Sequence, residues 1–226
     1  MEELLSLLYQ IFLKDGAWLP LVKGIRVTLE ISLLSLLGGT LLGAFICFFR
    51  MGRVKILRLF AMGYIAVVRG APVLMLLMLL FYGVLAQSDL EAVTVAIIAF
   101  SLHTAAHVAE LLRVAIDASD YGQVEAARTL GFSKWQAFRL ITLPQLIRMI
   151  RPVYQSTIVN LIQWTSVVGY ITITDLTRVV YDTASQTMQL MITIVGGMVI
   201  YIAISYCVYG IFACWEWQEK KAGEGR

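Results

Sequence analysis

Hydrophobic positions along this chain run in long blocks and do not alternate. Five apolar stretches stand out, near residues 25–49, 59–86, 92–116, 152–172 and 188–214. Each is long enough to cross a bilayer core as a helix, which takes about 20 residues at 1.5 Å rise. Polar residues gather between them, and their charges are unevenly shared. The segment from Arg50 to Arg58 also holds Arg53 and Lys55 and contains no acid. Residues 117–151 hold Arg128, Lys134, Arg139, Arg148 and Arg151, and the C-terminal segment adds Lys220, Lys221 and Arg226. On the other side, Gln87-Ser88-Asp89-Leu90-Glu91 has no base and 173–187 has only Arg178. The positive-inside rule therefore predicts cytoplasmic positions for the first loop, the 117–151 loop and the C-terminus, and an N-terminus outside. Lys14, Lys23 and Arg26 fall on the outer side in this arrangement. The pattern predicts an all-α polytopic membrane protein in three parts. Residues 1–24 are an N-terminal segment in which the short apolar run 4–13 reads as an interfacial helix. Residues 25–214 are the transmembrane domain, with a cytoplasmic loop at 117–151, and residues 215–226 form a cytoplasmic tail.

Composition narrows the class further. Hydrophobic residues make up 59% of the 226 positions and charged residues 15%, against a globular norm of roughly 45–50% and about 25%. Mean hydropathy is +0.79. These values exclude a disordered chain, a secreted disulfide scaffold and a soluble enzyme. Cys47, Cys207 and Cys214 are odd in number, lie in apolar runs and form no C-x-x-C, so neither a disulfide framework nor a redox pair is expected. The acidic start Met1-Glu2-Glu3 is unlike a secretory leader, and no cleaved signal is expected. The net charge of +3 does not indicate nucleic-acid binding. The bases cluster at span ends, where topology requires them.

Inside the spans, small and polar residues are the informative exceptions. Gly38, Gly39 and Gly43 in the first span, and Gly196-Gly197 in the last, read as places where helix backbones approach closely. Arg69-Gly70-Ala71-Pro72 predicts a break in the second span, because proline donates no amide and disfavours helix at the residue before it. His103, His107 and Glu110 share one face of the third span, with Arg113 close by. Two histidines and a glutamate could ligate zinc, but one helix rarely completes a coordination shell, and no metal site is expected. Arg69 is expected to neutralise Glu110, with Arg113 as the competing partner, since intramembrane charges pair or line a cavity. The fourth span holds Gln155, Asn160, Gln163, Trp164, Thr165 and Ser166, too many polar groups for a lipid-facing helix.

The 117–151 segment predicts two short helices. Asp120 with Gln123, and Ser133 with Gln136, have capping-box spacing, and Gly131 suits a left-handed helix end. Pro144 is expected to end the second helix. Short capped helices that present Trp135 and Phe138 read as a docking surface, the alternative being a loop folded back on the membrane interface.

Glu125-Ala126-Ala127, three residues, Gly131, nine residues, then Ile141-x-Leu143-Pro144 resembles the EAA loop of ABC-importer permeases. The likeness extends over residues 20–218. Gly24-x-x-x-Thr28-Leu29-x-x-Ser32-x-x-Ser35, Arg69-Gly70-x-Pro72, Ala109-Glu110-x-x-Arg113, Gly122-Gln123-x-Glu125 and Thr165-Ser166 are similar to the polar amino-acid subfamily. The resemblance implies a five-span permease of the type I importer fold in the bacterial inner membrane. It implies a second permease subunit (a copy or a paralogue), a cytoplasmic ATPase dimer and an extracytoplasmic substrate-binding protein. Glu125, Ala126, Ala127, Gly131 and Trp135 would then couple to the ATPase. ATP and magnesium belong to that partner. This chain has no G-x-x-x-x-G-K-[ST] with which to cradle phosphates, and no cofactor of its own is expected.

His103, His107, Gln163, Trp164 and Ser166 are the candidate substrate pathway, near mid-membrane where transporters place their sites. The two histidines, Gln163 and Trp164 depart from the subfamily's usual residues, which leaves the substrate open. Two rivals remain from the residues alone. One is a proton-coupled transporter using His103, His107 and Glu110 as a relay, and the other is a channel subunit without energy coupling. Five spans without an inverted repeat weigh against the relay.

Overall fold

The computed structural model describes residues 16–224, so the expected interfacial helix at 4–13 lies outside the described residues. The described residues form helices joined by short turns, with no strand among them. Helix α1 spans Trp18–Met51, with Pro20 tolerated in its first turn, and stops at Gly52. Helix α2 spans Lys55–Gly70. Ala71 and Pro72 are both extended, at φ −92° and −60°, as the pre-proline restriction dictates. The predicted break is therefore two residues between separate helices, and 59–86 is not one rod. Helix α3 spans Val73–Leu79 and widens into a π turn over Leu80–Val84. Helix α4 spans Ala92–Asp117. Helices α5 (Tyr121–Thr129) and α6 (Lys134–Ala137) occupy the loop where two short helices were expected. A π turn at Phe138–Thr142 leads into α7, Leu143–Trp164, which tightens into a 3-10 turn over Thr165–Ile171. Helices α8 (Leu176–Thr187) and α9 (Leu190–Glu224) complete the chain.

Pro144 does not end a helix. It sits in the first turn of α7, where its missing N–H is no loss. The π turn before it supplies the extra residue that accommodates the ring, with Leu143 N donating to Phe138 O. The expected fourth span, 152–172, thus belongs to a helix that starts nine residues earlier, at Leu143, and ends as a 3-10 turn. By length and apolar content α1, α4 and α9 can each cross a membrane, and the pair Lys55–Gly70 and Val73–Val84 makes a fourth crossing if it acts as one broken span.

The chain divides into two compact units. One comprises the described residues up to Leu36, Pro72–Phe100, and the chain from Ile158 onward. Its main core gathers Ile31, Leu77, Phe100, Leu161, Val168 and Ile171. In this unit Gly24 admits the backbone of Asp175 and Leu176, since a Cβ there would lie 3.0 Å from Leu176 Cα. Thr28 Oγ1 then accepts from Leu176 N at 3.2 Å, Ser32 donates to Thr28 O, and Ser35 donates to Ile97 O. Thr28 and Ser35 thus tie this helix to the backbone of other segments, while Ser32 bonds within its own helix. Gly197 likewise meets Val180.

The other unit comprises Leu37–Ala71 and Ser101–Thr157. Gly38, Gly39 and Gly43 face Ser101, Thr104 and Val108 of α4, so closely that an added Cβ would stand 2.6–2.8 Å from their side chains. This is the close approach that the glycine spacing predicts. A small apolar cluster of Cys47, Ile65 and Ala109 packs nearby. Cys47 is buried, whereas Cys207 and Cys214 on α9 are exposed.

Candidate coupling surface and substrate pathway

Helix α5 begins on Asp120, whose carboxylate accepts from Gly122 N at 2.9 Å. The predicted capping box closes only halfway here, because the Gln123 side chain is drawn instead to Gln145 of α7. The C-terminus of α5 is a Schellman motif. Gly131 adopts φ +90°, Gly131 N donates to Arg128 O, and Phe132 N donates to Ala127 O, both at 3.1 Å. Ser133 and Gln136 form the full capping box that opens α6. Ala127 and Ala137 are buried, which packs the two short helices inward. Glu125 and Ala126 face solvent. Trp135 is 66% exposed and stacks on Phe138 at 5.7 Å between ring centres. Leu130, 79% exposed, extends the apolar edge. The result is a rigid, capped element that shows aromatic surface beside an exposed carboxylate.

Glu110 lies near the end of α4 and is met by three arginines. Arg50 of α1 binds Oε2, Arg113 binds Oε1 at 2.7 Å, and Arg69 of α2 stands at 4.0 Å. Arg113 also reaches Asp117. Arg69 is thus the outermost of the three partners. Sequence reasoning placed Arg50 in a loop, but α1 continues through it because neither glycine nor proline occurs between Gly43 and Gly52. That run of unbroken apolar residues was the available signal.

The pathway candidates fall into different units. His103 and His107 share one face of α4, with ring centres 4.9 Å apart, the first buried and the second half-buried. In the other unit Gln163 is exposed at the end of α7, Trp164 packs against the apolar core, and Ser166 opens onto a cavity of about 330 Å³. Behind that cavity Asp175 is fully buried and caps α8, accepting from Thr177 N and Arg178 N at 3.1 and 3.0 Å. Burial pushes its carboxyl above the ordinary value, against the pull of those two donors. Thr172 adopts φ 68°, a left-handed conformation that is costly for a β-branched residue. Neither feature announced itself in the sequence.

This is a helical, multi-pass membrane protein whose 117–151 segment builds a capped element with exposed aromatic surface. Residues 30–215 match the family described as the binding-protein-dependent transport system inner membrane component, and the chain belongs to that family of ABC-importer permeases. It is 42% identical over 156 residues to the probable amino-acid ABC transporter permease protein YckA of Bacillus subtilis, covering 69% of each chain. It is 31% identical to the L-cystine transport system permease protein TcyL of the same organism, over 89% of this chain and 85% of that one. To the nopaline transport system permease protein NocM of Agrobacterium fabrum it is 30% identical, over 87% and 86%. Among solved structures, an amino acid ABC transporter crystallised with histidines superposes with a TM-score of 0.80 at 31% identity, over 92% of this chain and 98% of the other. The MetNI methionine transporter shares the fold, with a TM-score of 0.69 at 19% identity.

Proposed function

We propose that this chain is the permease subunit through which an ATP-driven importer takes up a polar amino acid or a close derivative, presented by an extracytoplasmic binding protein. The observation that carries the coupling half of this reading is the α5–α6 element. Its Schellman turn and capping box hold Glu125 and Trp135 on an exposed surface. An ATPase dimer holding ATP and magnesium docks there, and closure of that dimer drives a rigid-body change in the permease. The bases around 50–58 and 117–151 support a cytoplasmic position for this element by the positive-inside rule, and with it an N-terminus outside. A second permease subunit, a copy or a paralogue, completes the pathway. The amino-acid half rests on the relatives named above, three of whose names specify amino-acid or opine transport.

The test is uptake of labelled amino acids by proteoliposomes containing the permease, its ATPase and its binding protein. Vanadate is expected to abolish uptake and an uncoupler to leave it intact. The opposite pattern supports a proton relay through His103, His107 and Glu110, and uptake indifferent to both agents supports a channel.

A further inference from the structure

We infer that the cavity lined by Ser166, Gly169, Tyr170, Thr177, Arg178 and Tyr181 is a subsite for the α-carboxylate of the substrate, with Arg178 as the residue that reads it. The inference rests on the amino-acid reading proposed above. Arg178 is the only base in the segment 173–187. Its Nε pairs with Asp182 Oδ1 at 3.2 Å, one helical turn further along α8. Among the described residues no other side chain engages that guanidinium, so both Nη nitrogens are available for a planar, two-oxygen ligand. Asp182 offers a carboxylate beside them, and Tyr170 and Tyr181 expose aromatic rings. A base and an acid side by side match the carboxylate and ammonium of a zwitterion, and an aromatic face suits the ammonium. The volume, about 330 Å³, lies at the small end of the roughly 300–1,000 Å³ that small-molecule sites occupy.

The walls of this cavity are fixed more firmly than a surface ion pair requires. Asp175, buried and capping α8, accepts the backbone N–H of Arg178 itself. The Arg178 stem lies over Gly169, where an added Cβ would stand 3.9 Å from its Cβ and Cδ. Tyr82 donates its hydroxyl to Tyr170 O at 2.9 Å, holding the 3-10 turn from the side. Thr172 closes that turn in its left-handed conformation, with Thr172 N donating to Gly169 O and Ile173 N to Val168 O. Such strain persists only where surroundings over-determine it, and it gathers at ligand sites. Ser166 joins the cavity to Gln163 and Trp164, one turn back along the chain. An i,i+4 pair on a solvated helix face accounts for Asp182 alone. It explains neither the irregular wall nor the two tyrosines.

The experiment uses the permease–ATPase complex in nanodiscs without the binding protein. Equilibrium binding of common L-amino acids is measured with each probe as the free acid, as its α-carboxamide and as its N-acetyl derivative. Wild type is expected to prefer the acid of its substrate by about tenfold, the worth of one charge-assisted pair. Arg178→Gln is expected to lose that preference by weakening the acid alone, and Arg178→Lys to keep part of it. Asp182→Asn is expected to keep the acid preference while losing discrimination against N-acetylated probes. An Arg178→Gln complex that retains the acid preference overturns the subsite and leaves the amino-acid reading standing. Weakened uptake by Arg178→Gln in proteoliposomes supplied with binding protein, with probe binding in nanodiscs unchanged, overturns it in favour of a protein-docking role. Wild-type complex that binds no amino acid in nanodiscs and imports none in proteoliposomes overturns both.

Discussion

Gly131 and Asp175 each hold a helix end in place, by different means, and respond to different perturbations. At φ +90° Gly131 occupies a conformation that costs a side-chain-bearing residue about 1–2 kcal/mol. Nothing lies within 4 Å of where its Cβ would be, so the cost is backbone strain and not collision. Gly131→Val is therefore expected to insert and assemble but to misaim α6, collapsing the ATPase stimulation normally produced by loaded binding protein. Gly131→Asn, which tolerates the left-handed region, should retain much of it. ATP hydrolysis by the reconstituted complex checks both, and normal stimulation in the valine variant would remove Gly131 from the coupling path. Asp175 gives a pH signature. Its folded-state pKa is raised by burial, so its contribution is fully present below the unfolded pKa and is lost as pH rises through the folded value. Asparagine caps as well as aspartate and carries no charge. Asp175→Asn is thus expected to gain melting temperature relative to wild type as pH rises through the acid range, and to match it at the acid end. A difference that does not vary with pH would show that the carboxylate is not the source.

At the scale of elements, the glycines of α1 decide how closely it can run beside α4. An added Cβ at Gly39 would stand 2.6 Å from Thr104 Cβ, and one at Gly43 would stand 2.8 Å from Val108 Cβ. Those neighbours are branched at Cβ, with little rotamer freedom to yield. Gly39→Val and Gly43→Val are each expected to cost about 1–3 kcal/mol of overpacking, seen as a lower melting temperature in detergent. Gly63, with open space around it, should accept alanine without comparable loss. These contacts were legible in the sequence because small residues four apart on an apolar helix have one dominant use. So were the break at Ala71-Pro72 and both short helices of the 117–151 segment, where proline and capping residues act locally. Pro144 misled because the same residue that ends one helix can open another. Only the π turn at Phe138–Thr142, set by packing along the chain, decides between those outcomes. Thr172, the Arg178 cavity and the Asp175 cap were hidden for a related reason. They depend on which residues far apart in sequence come together, and hydropathy carries no record of that.

At the scale of a whole unit, Arg50, Arg69, Arg113, Glu110 and Asp117 form one cluster of three bases and two acids. Glu110 receives Arg50, Arg113 and, more distantly, Arg69, while Asp117 takes a share of Arg113. Removing the common acid takes that partner from Arg50 and Arg69 and leaves Arg113 with Asp117 alone, whereas removing one arginine leaves the acid still paired. Glu110→Gln is therefore expected to lower thermal stability more than Arg50→Gln or Arg113→Gln, with Arg69→Gln the mildest. Melting of the purified variants in one detergent ranks them. A Glu110→Gln protein as stable as wild type would mean that water or lipid headgroups already neutralise the arginines.

The three cysteines carry a practical consequence. Cys47 is buried between helices, while Cys207 and Cys214 lie exposed on α9, seven residues and so about two turns apart on one stripe. The protein therefore carries two thiols on its surface at different positions along one helix and a third that is shielded. Maleimides of graded membrane permeance, applied from either side of sealed vesicles, should read the direction and immersion of that helix without any engineered label. Oxidative cross-linking through the same stripe should report whether a second permease subunit or lipid lies against it.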